Sequence, residues 1–597
     1  MKKKISKLLI GALTVIICLS ILSCSKMFDI KPKSAVVAEQ MYRNVYDADA
    51  AVIGVYGKFM GLAKQYVVLN EAQGDLTDIT VNSDQYLKQL STHTVTTDNP
   101  YADPRPFYSA IINCNDVLKN FNIMLAQHKM SVDQYNQRYS DVGAMRSWLY
   151  LQVGIYFGTV PYVTDPIESI NDLQNDAKFP KIGFDQLLDN LIQFTESLPY
   201  KNPYPSGTTL LNTYDTYYTE KMFINKNILL GELYLWKGNW TKSATAYRAA
   251  VDYALIQFSV NPGQDWYEYY RIGYTSNNGG NWINIFNQPF GERYSNTEIM
   301  WNLPFDKNFS PKNPFIDLFT PYGAYLLKPS DLAINNWNSQ IRTELDNGAL
   351  RLVTPTDVRG LNQSYKMVFT TGGLLPMVNK YNPNYSPTTP FETSGKWILY
   401  RAANLWLHFA EVANRDGRDK LALAFINNGV NYAFDPTPGV AGRDVTNIQV
   451  STNPTTGLPD SPPYNFDARN GEIPRYRSDW YREIGIRSRM GDSQVVIDST
   501  RSFNMAGNVF PRVKTNDANL RNDVEDIIIA EGGLETAFEG NRWSDLLRIA
   551  LRRKATDPNY LSRMIGAKFD AAHSADAAAV KARLADPANW YLPFKWK

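Results

Sequence analysis

NKNILLGELYLWKGNWTKSATAYRAAVDY, residues Asn225 to Tyr253, is the stretch whose reading decides the fold. Leu229, Leu230, Leu233 and Trp236 recur at steps of three and four, which gathers them on one side of a helix. Gly238-Asn239 breaks the pattern as a turn does, and Ala244, Tyr247, Ala250 and Val251 restart it. The stretch is predicted to be a helical hairpin. A single pair cannot bury a continuous core, so other pairs are expected to stack on it.

Working outward, Ala48, Ala51, Val52, Val55, Tyr56 and Phe59 predict a first helix, begun by Asp47 or Asp49. Further helices are predicted over 107–125, 132–157 and 184–198, the second of them stopped by Gly158 and Pro161. Tyr66 to Asp103 is polar and reads as a long loop with short pieces of structure. From Asn261 to Pro329 the chain is crowded with Gly, Asn, Pro and aromatic residues, which predicts an elaborated insertion and not disorder. Within it Glu298 to Asn302 alternates as a short strand does, which makes Trp301 structural. Two helices around Arg415-Asp416-Gly417 are predicted within 397–425, another excursion over 431–480, and one final helix over 524–555.

The 597 residues far exceed one typical domain, yet no linker rich in Gly, Ser or charge divides them, so one large composite body is expected. Lys2, Lys3, Lys4 and Lys7 precede an apolar run, Leu8 to Leu22, that is too short to span a bilayer permanently. The run ends in Ile21-Leu22-Ser23-Cys24, which resembles the lipobox at which bacterial lipoproteins are cleaved and acylated. Residues 1–23 are thus expected to be a signal peptide, with Cys24 lipidated as the mature first residue and the body tethered to a membrane. Without the four leader lysines, 57 basic residues face 59 acidic ones, which argues against a nucleic-acid partner. Cys114 is then the only other thiol, and no intrachain disulfide is expected.

No reactive constellation stands out. His408 and Glu411 share a helix face, but HExxH is absent and the flanking positions are apolar, so no metal site is read there. Glu531, Glu535 and Glu539 line one predicted face, where a glycosidase needs two carboxylates facing each other across a cleft. With Arg542 and Arg548 nearby they read as a solvated or ion-paired face. The basic run Arg475, Arg477, Arg482, Arg487 and Arg489 reads as a salt-bridged surface, with acidic sugars or peptide carboxylates as the alternative. Binding demands less: a sugar packs its C–H face on an aromatic plane while its hydroxyls need directed polar groups. The loops supply both in Asp75, Asp78, Asn82 and Tyr86, and in Tyr274, Asn278, Trp282, Tyr322 and Trp337.

Two resemblances follow. Leu230-Gly231, Tyr234, Tyr247 and Ala250 fall where the tetratricopeptide repeat places Leu-Gly, Tyr, an aromatic and a small residue, with Asn227 and Ser243 replacing its usual Trp and Ala. Cys24 with FDIKPKS, then MRSWLYLQVGIYFGTVPYVT from Met145, LYLWKGNW, YLLKPS from Tyr325, TDVRG from Thr356, LYRAANLWLHFAEVANRDG from Leu399, FEGNRWSDLLR from Phe538 and YLPF from Tyr591 occur in the order of the SusD/RagB family. The chain is identified as resembling that family over nearly all its mature length. The resemblance implies a mostly α fold: a tetratricopeptide-like helical-hairpin superhelix over 24–260, and a 261–597 region with loop-rich, ligand-binding insertions. It also implies a noncatalytic outer-membrane lipoprotein that captures oligosaccharides, or in some relatives peptides, and hands them to a TonB-dependent, SusC-like transporter. No cofactor is implied, and a steadying calcium is left open. Two departures stand out: Gly532 replaces the Arg of a Glu-Arg motif, and Ile486-Arg487-Ser488-Arg489 resembles a piece missing after residue 427, displaced by an insertion.

Overall fold

The computed structural model describes residues 41–595 except 168–178, 215–216, 258–281, 288–297, 341, 347–348, 354–356, 382–387, 435–449, 473–474, 481–482, 491–494, 498–501, 505–508 and 511–516. Cys24, the leader, Tyr274 and Asn278 therefore lie outside the described residues. The described chain is mostly helical, its strands short and paired two or three at a time.

The first three helices are α1 (Val45–Met60), α2 (Ala63–Glu71) and α3 (Gln85–Ser91); α4 (Arg105–Ala126), α5 (Val132–Phe157) and α6 (Phe184–Ser197) follow. α1 starts one turn earlier than either aspartate reading: Asn44 is its cap, its side chain accepting from the backbone N–H groups of Tyr46 and Asp47. α5 is closed at one end by a Ser131–Gln134 capping box and at the other by Gly158 at φ +70°. α2 corrects the loop reading of 66–103. Its residues have no polar stripe because nearly all of them are buried, Asn70 and Glu71 included.

The hairpin is formed as read, by α7 (Lys226–Lys237) and α8 (Trp240–Gln257). Gly238 takes the left-handed conformation at φ +79°, and the Asn239 N–H reaches back to the Tyr234 carbonyl at 2.9 Å. Gly231 is demanded by its neighbour, since a Cβ there would lie 2.4 Å from the Tyr247 ring. Ser243, at the repeat's usual alanine position, donates its hydroxyl to the Gly231 carbonyl at 2.7 Å.

Strand β1 (Thr77–Ile79) lies between α2 and α3, and β2 (Ile299–Phe305), β3 (Leu327–Pro329), β4 (Tyr365–Thr370), β5 (Gly373–Val378) and β6 (Gly395–Arg401) come later in the chain. β6 pairs antiparallel with β2, so the stretch Trp397–Arg401, expected as helix, is a strand. Both faces of the strand are buried: Ile398 packs in a cluster with Trp282 and Phe286, while Trp397 and Leu399 enter the largest apolar core, where Trp397 joins Phe59, Tyr66, Trp148 and Trp301 in one aromatic cluster with ring centres 4.9–5.5 Å apart. That cluster ties α1, α2 and α5 to β2 and β6, and the largest apolar core draws on both sides of residue 260.

Helices α9 (Ala402–Arg415) and α10 (Asp419–Ile426) follow β6. At the end of α10 the chain leaves and returns: Ile486, Arg487 and Ser488 donate their N–H groups to the carbonyls of Phe425, Ile426 and Asn427. The displaced segment thus sits directly on the helix end it was read to complete. Gly429 and Gly485 permit the crossing, because a Cβ on either would press within 2.3 Å of backbone.

The predicted final helix is two, α11 (Asp517–Glu535) and α12 (Arg542–Arg553). Phe538 and Gly540, at φ +70° and +86°, turn the chain between them, and the Gly540 N–H donates to the buried Glu71 carboxylate at 2.7 Å. α13 (Tyr560–Ala571) and α14 (Ala577–Leu584) close the described chain. Among the described residues no helix is long and apolar enough to cross a membrane.

Replacing Gly231 with Ala forces the Tyr247 ring to move and is expected to destabilise the chain by about 1–3 kcal/mol. The readout is a lower urea midpoint with an unchanged slope. Adding Tyr247→Leu should recover part of the loss, and an unaltered midpoint in Gly231→Ala would contradict the packing.

Candidate functional site

Segment 71–77 and strand β1 set the position of the site. Asp75 receives two hydrogen bonds from Arg542, at 2.6 and 2.8 Å, while its carbonyl accepts from the Ser330 hydroxyl. The Leu76 carbonyl accepts from the Ser330 N–H, and the Thr77 hydroxyl donates to Glu71. β1 then pairs antiparallel with β3, Asp78 opposite Lys328. Beyond the strands, Asn82 donates to the Ala324 carbonyl at 3.1 Å and the Thr80 hydroxyl donates to that of Tyr325. The two loop regions nominated from sequence are thus one structure.

Tyr322 and Gly323, which precede the bonded residues 324–326, form one wall of a cleft of about 610 Å³. Gly323 allows this wall to press on the short helix Phe315–Phe319, since a Cβ there would lie 2.7 Å from the Asp317 backbone. Tyr322, 37% exposed, lines the cleft with Phe391, 83% exposed. Asn308, Asn313, Asp317, Thr393, Lys307 and Lys312 supply polar groups around them. Lys307 pairs with Glu392, and the Lys312 ammonium donates to the Lys307 carbonyl. Apolar rings open to solvent beside amide, hydroxyl, carboxylate and ammonium groups can take a ligand that is apolar on one face and hydroxylated at its edge.

The nine residues nominated from sequence divide. Tyr322 lines the cleft, and Asn82, exposed, bonds the Ala324 carbonyl two residues after it. Asp78 is half-buried in β1 and Tyr86 half-buried in α3, both near that wall by chain connection. Asp75 is buried and paired with Arg542. Trp337 is 1% exposed and donates its indole N–H to the Leu534 carbonyl at 3.1 Å, so it packs the core instead of meeting ligand. Trp282 is also buried, with the Lys380 ammonium 4.8 Å from a ring centre. Rings large enough to stack on a sugar are also the rings a core takes first. The reading missed Phe391, because it favoured aromatics with a polar handle; the visible signal was a lone Phe in the turn-rich run Thr388 to Gly395.

A second, larger groove of about 740 Å³ runs between α1 and residues 304–311, with the rings of Tyr46, Tyr217 and Phe309 along it. It is more apolar, and its two carboxylates are already engaged: Asp49 by Arg138, Asp306 by the Tyr217 hydroxyl. The smaller cleft therefore suits a polyhydroxylated ligand better despite its size.

The carboxylates that raised the question of glycan hydrolysis are buried and committed. Glu531 pairs with Arg359 and Arg487, Glu535 with Arg359, Arg401 and Arg489, and Glu539 with Arg401 and Lys380. Burial alone would raise the Glu535 carboxyl, but Arg489, Arg401 and Arg359 reverse the effect and hold it well below the ordinary range. Arg487 and Arg489 are accordingly not a surface run but buried partners of these acids. Among the described residues no three His, Cys, Asp or Glu side chains converge to hold a metal ion. His408 lies between Glu232 at 2.7 Å and Asp545 at 3.2 Å, with the hydroxyls of Tyr247 and Tyr400 also donating to Glu232. Burial opposes its charge, yet Glu232 and Asp545 outweigh it and push the pKa from 6.5 up to about 10.

Because the folded pKa of His408 is raised, its stabilising contribution is complete below pH 6.5 and is lost as pH climbs to about 10. Glu232 and Asp545 are lowered against burial, by His408 and Arg548 chiefly, so their contribution is lost only in acid. The melting-temperature gap between wild type and His408→Gln is expected to be widest near pH 6 and to shrink steadily toward pH 10. A gap independent of pH would mean that the imidazole is not held charged.

No family model and no curated protein matches the chain. Solved structures do. A SusD superfamily protein from Bacteroides vulgatus superposes with a TM-score of 0.55 over 92% of this chain and 96% of its own, at 13% identity. Another, from Bacteroides thetaiotaomicron, gives 0.51 over 85% and 89%, at 15% identity. A SusD-like carbohydrate binding protein from Bacteroides fragilis gives 0.51 over 86% and 88%, at 14% identity. The helical hairpins and these superpositions agree: the chain has the fold of the SusD superfamily.

Proposed function

We propose that this protein is a noncatalytic surface lipoprotein, anchored in the outer membrane through Cys24, that binds an oligo- or polysaccharide and delivers it to a TonB-dependent, SusC-like transporter. The observation that carries the reading is the cleft in which Tyr322 and the exposed Phe391 stand among amide, hydroxyl and charged side chains. A pyranose presents just those two kinds of surface, and an exposed aromatic ring costs solvation that only a ligand recovers. That a protein of the same fold is described as carbohydrate binding supports the assignment. Direct contacts are assigned to Tyr322, Phe391 and the polar rim, with Asn82 holding the Ala324 carbonyl behind Tyr322. Tyr274 and Asn278 remain candidates for ligand contact, while Asp75, Trp282 and Trp337 are assigned to the interior.

A second reading, peptide uptake, draws on the apolar groove beside α1, where Tyr46, Ile53 and Phe309 are exposed. Apolar side chains of a peptide fit it better than a sugar does.

The soluble form beginning at Ser25 is expected to be retarded in native gels containing at least one of a panel of neutral and acidic polysaccharides. Phe391→Ala with Tyr322→Ala should weaken that binding by about tenfold, equivalent to about 1.4 kcal/mol. Full retardation of the double variant would remove the cleft from consideration. No retardation in any gel, with binding of apolar peptides that Phe309→Ala abolishes, would establish the second reading instead.

A further inference from the structure

Lys568, on α13, is far from the cleft in sequence and nearly inaccessible, at 1% exposure. Its ammonium donates to the Gly74 carbonyl at 2.9 Å, the Thr77 carbonyl at 3.2 Å and the Ser91 hydroxyl at 3.2 Å. Three N–H groups thus meet three oxygen acceptors, two of them backbone carbonyls that can only accept. Burial lowers the pKa of this ammonium, Asp78 and Asp75 oppose that only through the field, and no carboxylate lies within ion-pair distance of it in the described residues. Desolvating an ammonium without a paired charge is expensive, and a lysine that served only to fill space would be better replaced by an apolar residue.

The oxygens that Lys568 gathers come from three places along the loop: the end of α2's extension, the first residue of β1 and the last residue of α3. The neighbouring Gln73 carbonyl is held by His93, whose ring packs 5.1 Å from Trp543. Burial, and then the nearby Lys568, lower the His93 pKa to about 3, so it stays neutral and adds no second charge beside Lys568. Converging carbonyl and hydroxyl oxygens around a positive centre, with carboxylates beyond them, are the donor set a protein uses for a hard metal cation.

We infer that Lys568 is a built-in cation, a positioning residue whose ammonium gathers Gly74, Thr77 and Ser91 and so sets β1, the β1–β3 pairing and, through Asn82 on the Ala324 carbonyl, the Tyr322–Gly323 wall of the cleft. The route is continuous. Thr77 pairs with Pro329, Ile79 with Leu327, and Thr80 and Asn82 hold the carbonyls of Tyr325 and Ala324 that follow Tyr322. The effect on ligand affinity rests on the glycan reading, whereas the effect on the loop does not.

The test is amide hydrogen exchange of the mature chain without ligand, comparing wild type, Lys568→Met and Lys568→Ala. Met keeps the volume and the helix while removing the charge. Exchange over 74–83 is expected to accelerate at least tenfold in both variants, with α5 and α9 unchanged. Ethylammonium added to Lys568→Ala should restore protection, and in Lys568→Met, where the space is filled, it should not. Wild-type exchange in Lys568→Met, or acceleration spread evenly over the whole chain in both variants, would overturn the inference. Should either variant fail to fold, Ser91→Ala, which removes one acceptor, is expected to accelerate the same segment and no other; unchanged exchange there would also overturn it. Polysaccharide affinity is then measured on the same proteins: a tenfold loss recovered by ethylammonium supports the positioning role, and unchanged affinity despite a loosened loop overturns it. If the wild type binds no polysaccharide, the glycan reading fails, while the exchange results still decide whether Lys568 is the pin.

Discussion

The interaction on which the rest depends is the neutralisation of the carboxylates at the end of α11. Glu298, Asp357, Glu531, Glu535 and Glu539 meet Arg359, Lys380, Arg401, Arg487 and Arg489 out of contact with water, and these ten side chains sum to zero formal charge. Such a cluster contributes little net stability against an apolar core of the same shape, but removing one member leaves a buried charge at a cost of about 3–5 kcal/mol. It therefore acts as a register. The segments that bring the charges arrive from the 298–305 strand, the 357–360 turn, the start of α9 and the return from the 427–485 excursion, and each has one place where its charge is answered. Several of the motifs that carry the family resemblance, TDVRG, LYRAAN and FEGNRW, meet here.

From that hub the order of construction runs outward. Arg542, one turn beyond Glu539, holds Asp75, and Gly540 holds Glu71, so the end of α11 also fixes the root of the loop that carries Asn82. The β1–β3 pairing then extends the fixation to the segment bearing Tyr322. A cleft wall built this way keeps its aromatic ring in place before a ligand arrives, which reduces the ordering cost of binding. The helical pairs contribute differently: Tyr247 against Gly231 closes the hairpin on itself, and Glu232 with His408, which also meets Asp545, joins it to α9 and α12. The spine and the cleft are thus coupled through packed polar contacts, not through a linker.

Much of this was legible. The periodicity of 225–253 and 132–157, the stop at Gly158 and the short strand read at 298–302, with its structural Trp301, followed from local patterns that tertiary contacts did not oppose, and the relocated 486–489 segment followed from the family resemblance. What misled was burial. Tyr66 to Glu71, read as the start of a polar loop, belong to a buried helix, because Asn70 and Glu71 find partners far away in sequence in Tyr156 and Gly540. Trp397 to Arg401 look helical and form a strand because β2 is there to pair with it. The aromatic residues most suggestive of a sugar platform, Trp282 and Trp337, were taken by the interior, and an unremarked Phe391 was left outside.

The sequence by itself determined the elements that depend on neighbours within a turn or two, namely helices with an apolar stripe, a cap or a left-handed glycine, and the order of motifs that points to the fold. Only the tertiary structure decided which charges are buried and which aromatic rings face water. The physical reason is that both are set by partners hundreds of residues away, 134 positions from Arg401 to Glu535 and 467 from Asp75 to Arg542. No window along the chain contains both members of such a pair, so the same glutamate reads as a solvated face, a catalytic acid or a structural counter-ion until the fold brings its arginine to it.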